Sequence, residues 1–283
     1  MTQTRKYERF KALHEGSGAF VIPNPWNAGT ARMLTALGFE ALATTSAGYA
    51  FSVGRRDSTG ALTRDEILQN AREIVEATDL PVSADLEGGF GRSPETCAQT
   101  IRMAADVGLV GGSIEDATGD PDDSIFEFGR AVERVAAACE AARDRPFILT
   151  ARAENFLHGR PDLDDTIKRL AAFANAGADV VYAPGLPDLQ SIRAVCQAID
   201  KPVNVVMGLN GPTFSVAELQ AAGVKRISVG GSFARAALGA FMRAAQEVKE
   251  KGTFHYAREA IPDAEASNYM AEANSRPRSP DHK

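Results

Sequence analysis

Residues 81–91 read PVSADLEGGFG: a short apolar run closing on Asp85, a second acid at Glu87, and then three glycines. An apolar run of this length, bounded by turn residues, is the pattern of a buried strand. Helical periodicity flanks it on both sides, over 63–78 and 94–107, and the same unit recurs along the chain. Apolar runs at 19–22, 41–45, 81–85, 111–115, 147–151, 179–183, 202–206 and 226–230 alternate with helix-period segments at 27–37, 63–78, 94–107, 127–143, 162–176, 187–199, 215–222 and 232–251. Thr63 with Glu66 spells a capping box, Pro94 follows Ser93 at a first turn, and Asp162 opens another helix. Several helices stop at glycine, as at Gly38, Gly108, Gly177 and Gly223.

Strict strand–helix alternation predicts the α/β class, with a parallel sheet and helices outside it. Eight repeats over about 250 residues predict a closed (β/α)8 TIM barrel. The competing arrangement is a doubly wound open sheet. No G-x-G-x-x-G follows the first strand, and polar residues fall at the ends of many strands rather than at one crevice. Residues 4–16 are expected to form a short amphipathic helix under the barrel. Residues 1–251 thus make one barrel domain with an N-terminal capping helix and a long C-terminal helix. Residues 252–283 are polar and proline-rich, and are expected to be a partly disordered tail.

The 283 residues are 44% hydrophobic, enough for a sizeable core, and carry a net charge of −6. That charge, with no basic patch, disfavours a nucleic-acid partner. No run reaches the roughly 18 apolar residues that span a bilayer, and the N-terminus lacks the apolar stretch of a secretory signal. Cys97, Cys139 and Cys196 fall within predicted helices without C-x-x-C spacing. They read as buried free thiols, hence a cytoplasmic location.

In such a barrel the chemistry sits at the C-terminal ends of the strands. Those ends deliver Ser46, Asp85 with Glu87, Glu115, Arg152, Tyr182 and Asn204, and the loop after the second strand adds Asp57. Asp85 and Glu87, two apart, face the same side of an extended chain. Taken singly, Asp57 and Glu115 read as solvated loop acids. Together, Asp57, Asp85, Glu87 and Glu115 would raise one another's pKa unless a cation compensates them. An oxygen-only set suits Mg²⁺, with Mn²⁺ as the other candidate. Arg152 is placed to fork onto a carboxylate or phosphonate, or to pair with Glu154 or Glu115. Ser46, Ala47 and Gly48 offer a hydroxyl and backbone N–H groups, either as an anion nest or as a plain turn.

On these residues the chain resembles the isocitrate lyase / phosphoenolpyruvate mutase superfamily. The resemblance runs from GAFVIPNPWNAGTARML through TTSAGYA, ADLEGGFG, GGSIED and LTARAENF to SVGGSFARAA. It implies that Asp85 is the direct Mg²⁺ ligand, with Asp57, Glu87 and Glu115 orienting its waters. It further implies that Ser46, Ala47 and Gly48 cradle a carboxylate and enolate oxygen, with Arg152 as the fixed cation. Asn204 and Tyr182 are expected at the same mouth, Asn204 toward substrate and Tyr182 toward catalysis. The resemblance also implies a homodimer or tetramer in which the last barrel helix, 232–251 here, is exchanged between subunits.

The implied activity is Mg²⁺-dependent carbon–carbon cleavage next to an α-keto acid, as in 2-methylisocitrate or isocitrate lyases, acting on a small carboxylate. Carbon–phosphorus chemistry of the mutase or phosphonopyruvate hydrolase kind, and oxaloacetate decarboxylation, are the alternatives. A non-catalytic dicarboxylate binder is a third. One departure stands out. The loop after the fourth strand, EDATGDPDDSIFEF, lacks the family's lysine, cysteine and histidine, so the general acid/base is not carried over. Tyr182, Glu154, Asp116 and Ser124 are the candidate substitutes.

Overall fold

The computed structural model describes residues 1–57 and 60–271. Eight strands run parallel: β1 (Phe20–Ile22), β2 (Leu42–Ala43), β3 (Val82–Asp85), β4 (Gly111–Glu115), β5 (Ile148–Arg152), β6 (Val180–Tyr182), β7 (Val203–Val206) and β8 (Arg226–Ser228). They pair in the order β1-β8-β7-β6-β5-β4-β3-β2. One hydrogen bond, from Ala43 N to Pro23 O at 3.0 Å, joins the two ends of that order and nearly closes the ring. The helices outside are α2 (Ala28–Ala36), α4 (Arg64–Glu76), α5 (Pro94–Asp106), α6 (Phe128–Ala142), α7 (Leu163–Asn175), α8 (Leu189–Ala198) and α9 (Val216–Ala221). The fold is the expected (β/α)8 barrel. Capping boxes at Thr63/Glu66 and Ser215/Glu218, and the Ser93 and Asp162 caps, start their helices where the sequence signals them.

Two apolar layers lie between strands and helices. One is built on Leu42, Ile74, Leu86 and Ile101, the other on Leu170, Phe173, Val181 and Val195. Below the barrel, α1 (Gln3–Glu15) drives Phe10 into the opening, edge-on to Phe20 with centroids 6.4 Å apart. The barrel interior above that plug is different. Register and stagger sort the inward side chains into tiers taken from alternate strands. Asp85 and Arg152 share the top tier. Below come Ala43, Ser113, Tyr182 and Ser228, then Ile22, Ser83, Thr150 and Asn204, with Arg226 lower still. Barrel centres are usually filled by branched apolar residues. This one is polar in its middle.

The last barrel helix, α10 (Ser232–Lys251), ends at Gly252 in the left-handed region, φ 62°. Ala234 is its one buried residue, while Leu238, Phe241 and Met242 are exposed. The chain beyond Gly252 forms a 3₁₀ turn at His255–Arg258 and a helix, α11 (Asp263–Met270). That helix is held to α2 by Arg32 Nη1 donating to Met270 O at 2.6 Å. The expected disorder toward the chain end falls on 272–283, outside the described residues.

Candidate active site

The top tier is assembled from β2, β3 and the turn that follows each. The stretch after Ser46 reads as loop, whereas Ser46–Ser52 is a short helix, α3, capped by Thr45. The two hydroxyls before and in its first turn are used locally. Thr45 Oγ1 accepts from Gly48 N at 3.2 Å, and Thr44 Oγ1 accepts from Asp85 N at 3.1 Å. Ser46 donates to Asp85 Oδ2 twice, from Oγ at 2.7 Å and from its backbone N–H at 3.2 Å. Of the Ser46 hydroxyl and the Ala47 and Gly48 amides expected to cradle an anion, the hydroxyl and the Gly48 amide are engaged, and only the Ala47 amide is left for a ligand.

Arg152, the last residue of β5, is the hub. Its Nη1 lies 3.1 Å from Asp85 Oδ1, its Nη2 3.1 Å from Glu115 Oε2 and its Nε 2.9 Å from Glu154 Oε1. Its guanidinium also stands 5.0 Å from the Tyr182 ring centroid. The sequence left open whether Arg152 serves as an anion fork or a structural pair, and here it is paired with all three acids. Glu154 is almost wholly buried and Glu115 largely so. Three carboxylates sharing one cation leave surplus negative charge. Burial, with Glu154 and Asp85 nearby, holds the Glu115 carboxyl well above the usual range despite Arg152.

The glycine-rich turn carries Glu87 beside this hub. Glu87 and Phe90 sit in the left-handed region at φ 47° and 60°, which costs a side-chain-bearing residue on the order of 1–3 kcal/mol. Arg134, buried on α6, holds the turn by donating to Gly91 O at 2.6 Å and to Gly88 O. Gly88 is required there, since a Cβ would meet Ala117 O at 2.9 Å. Burial, then Asp85 and Asp57, push the Glu87 carboxyl up to about 7. Asp57, at the rim, is raised by burial and by Asp85.

Among the described residues no three His, Cys, Asp or Glu side chains stand close enough to chelate a metal by themselves. The four predicted acids do not form a cage. Their chemistry still fits a hard divalent cation: every donor is oxygen, and Glu87, Asp57 and Glu115 are all raised, the sign of negative charge lacking a counter-ion. Asp85 stands at the centre of the set, its Oδ1 on Arg152 Nη1 and its Oδ2 on Ser46.

The remaining candidates separate clearly. Asp116 is buried with both oxygens engaged, by Glu154 N at 2.8 Å and Arg169 Nη1 at 3.1 Å, so it anchors the backbone under Arg152 rather than facing a ligand. Ser124 lies on a loop folded on itself through an Ala117–Ile125 bridge. Asn204, expected toward substrate, sits two tiers below the mouth, accepting from Arg226 Nε at 2.8 Å and donating to Ser228 Oγ at 3.1 Å. Arg226 itself was missed. As the first residue of a strand it reads as exposed, and only the barrel stagger turns it inward.

Eight parallel strands with an ionic cluster at their C-terminal rim define a barrel enzyme. The phosphoenolpyruvate phosphomutase family model matches residues 10–249, and the chain belongs to that family, within the isocitrate lyase/PEP mutase superfamily of lyases and mutases. It is 29% identical to 2-methylisocitrate lyase of Escherichia coli K12 over 224 residues, covering 76% of this chain and 75% of that one. Among solved structures it is similar to a candidate lyase/mutase from Burkholderia cenocepacia J2315 (58% identity, TM-score 0.93, 96% and 97% of the two chains). It is also similar to 2,3-dimethylmalate lyase (26% identity, TM-score 0.84, 96% and 95%). No helix among the described residues is long and apolar enough to cross a membrane.

Proposed function

We propose that the chain is a divalent-metal-dependent lyase that cleaves a carbon–carbon bond next to an α-keto acid, with Mg²⁺ as its ion and Mn²⁺ as a substitute. The observation that carries this reading is the excess of buried acid around Arg152 beside the Asp85–Ser46 pair. When bound at Asp85, the cation supplies Lewis-acid stabilisation of charge developing on the keto oxygen. The protein's own residues do the rest. The free Ala47 N–H receives the substrate carboxylate, Ser46 Oγ holds Asp85 in place beside it, and Arg152 fixes the substrate's orientation. Glu115, on Arg152 Nη2 and shifted upward by burial, is the group proposed to pass a proton to the departing fragment, and Tyr182 packs over Arg152.

The loop 117–128 carries Asp120, Asp122 and Asp123, which disfavour a phosphonate and a tricarboxylate alike and so point to a small substrate of low charge. Deuterium exchange at the methyl group of pyruvate in D₂O with Mg²⁺, followed by NMR, tests the shared enolising step. A keto-acid assay over 2-hydroxy and 2-keto diacids then separates lyase from decarboxylase. Exchange and turnover are expected. Binding of a dicarboxylate with neither would replace the lyase with a sensor.

Stability should report the same acids. The folded-state value of Glu87 is raised, from 4.5 to about 7, so the folded state binds the extra proton. Its contribution is fully present below about pH 4.5 and is lost as pH rises through about 7. Asp57 and Glu115 shift in the same direction. The metal-free protein should therefore lose stability between pH 5 and 8 in urea melts, and millimolar Mg²⁺ should cancel that loss. A flat apo profile would contradict the charge surplus.

The exposed apolar side chains of α10 support a homo-oligomer in which this helix packs against a partner subunit. Leu238 is 43% exposed, Phe241 66% and Met242 51%, too much apolar surface for a helix of a soluble monomer to leave bare. Sedimentation should give a dimer or tetramer, and the double variant Phe241→Glu, Met242→Lys should give monomer. A wild-type monomer would remove this part of the proposal.

A further inference from the structure

Arg226 is nine-tenths buried in the centre of the barrel. Its partners are three neutral acceptors: Asn204 Oδ1 at 2.8 Å, Thr150 Oγ1 at 2.9 Å and His14 Nε2 at 3.5 Å. His14 cannot offset the charge. Burial, with Arg226 beside it, lowers its pKa to about 3, so it stays neutral. Among the described residues no carboxylate lies within ion-pair distance of Arg226, unlike Arg152 and Arg169; Arg134, buried on α6 and also without one, is met by the carbonyls of Gly88 and Gly91. A buried arginine is almost always paired, because an uncompensated interior charge costs several kcal/mol.

A cavity of about 70 Å³ adjoins Arg226 and lies between it and the Asp85–Arg152 tier. The tiers around it are made of small or hydroxyl-bearing residues, so they leave space rather than fill it. Ser83 is almost wholly buried and Ser113 partly so, and neither hydroxyl has a hydrogen-bond partner among the described residues. Empty cavities in proteins are apolar, whereas a polar one holds water or an ion. This one is far below the roughly 300–1,000 Å³ of pockets that take organic ligands. The Ser83 and Ser113 hydroxyls line the same space as a guanidinium without a carboxylate partner, while Asp85, the acid that lines the space from above, is paired with Arg152.

We infer that the barrel interior holds a small inorganic anion of chloride size, bound by Arg226 and the Ser83 and Ser113 hydroxyls beneath the Asp85–Arg152 tier. The site lies on the floor of the pocket whose upper wall is Asp85 and Arg152, and it does not depend on the proposed reaction. Its anion neutralises Arg226 and lets a polar barrel centre stay folded.

Crystals grown with bromide in place of chloride, measured at the bromine edge, test it directly. One anomalous peak in contact with the Arg226 guanidinium is expected. In solution, the melting temperature should rise with chloride at constant ionic strength against gluconate, as a ligand of the folded state requires. That rise should vanish in Ser113→Val, which fills the cavity and keeps Arg226. Arg226→Gln should behave alike if it folds, and Ser113→Val decides if it does not. Water alone in the cavity at saturating bromide, or the same chloride response in wild type and Ser113→Val, overturns the inference.

Discussion

Replacing Arg152 with methionine should cost about 3–5 kcal/mol of stability at pH 8, the usual penalty for removing one partner of a buried ion cluster. Three carboxylates depend on this one guanidinium, at 2.9 to 3.1 Å, and Glu154 and Glu115 have little access to water. The loss should shrink at pH 5, where raised carboxyls such as Glu115 and Glu87 take up protons and no longer need a counter-charge. Added Mg²⁺ should recover part of it at pH 8, because a second cation reaches the same acids. Lysine should rescue poorly, since an ammonium cannot fork toward three acceptors. Turnover should fall by on the order of 10²–10³, the effect of removing one fixed charge from a transition state. Urea melts at the two pH values check the stability claim. A loss under about 1 kcal/mol at pH 8 would mean that the cluster is not electrostatically coupled.

The Asp85→Asn variant should show the opposite signature. It removes one of the acids crowding Arg152 but leaves Glu115 and Glu154 on the guanidinium, and its amide oxygen can still accept from Ser46. Stability should change by no more than about 1 kcal/mol, the net worth of an ordinary hydrogen bond. Mg²⁺ binding followed by calorimetry should disappear, and pyruvate exchange should drop by at least 10²–10³ with it. Unaltered Mg²⁺ affinity would place the metal elsewhere and end the functional reading. The two variants thus separate folding from chemistry: one breaks the support of the site, the other its proposed ligand.

The Arg152 hub also explains why the site looks different from its sequence. The spacing of Asp85 and Glu87 reads as two acids on one side of an extended chain, but the strand ends at Asp85 and Glu87 lies in the turn beyond it. The spacing does not reveal that Glu87 turns into the left-handed region, held there through Arg134 from a helix more than forty residues away. Ser46, Ala47 and Gly48 read as an open hydroxyl and open amides, but Asp85 takes the Ser46 hydroxyl and the helix cap takes the Gly48 amide. Asp116 sits beside Glu115 in the chain and reads as its equal. Alternation in β4 sends the two to opposite faces, and Arg169 claims Asp116 on the outside.

The sequence alone determined the fold and put Asp85, Glu115 and Arg152 at the ends of their strands. Hydrophobic period, capping residues and glycine stops are local signals, and eight repetitions of one local unit leave little freedom in how the sheet can close. What only the tertiary structure decided is which charges meet. Barrel stagger drops Asn204 and Arg226 below the mouth while it lifts Asp85 and Arg152 to the same height, and burial then fixes which acids keep their protons. Those outcomes depend on distances of a few ångströms between strands far apart in the chain, and Coulomb energies in a poorly solvated interior change steeply over such distances.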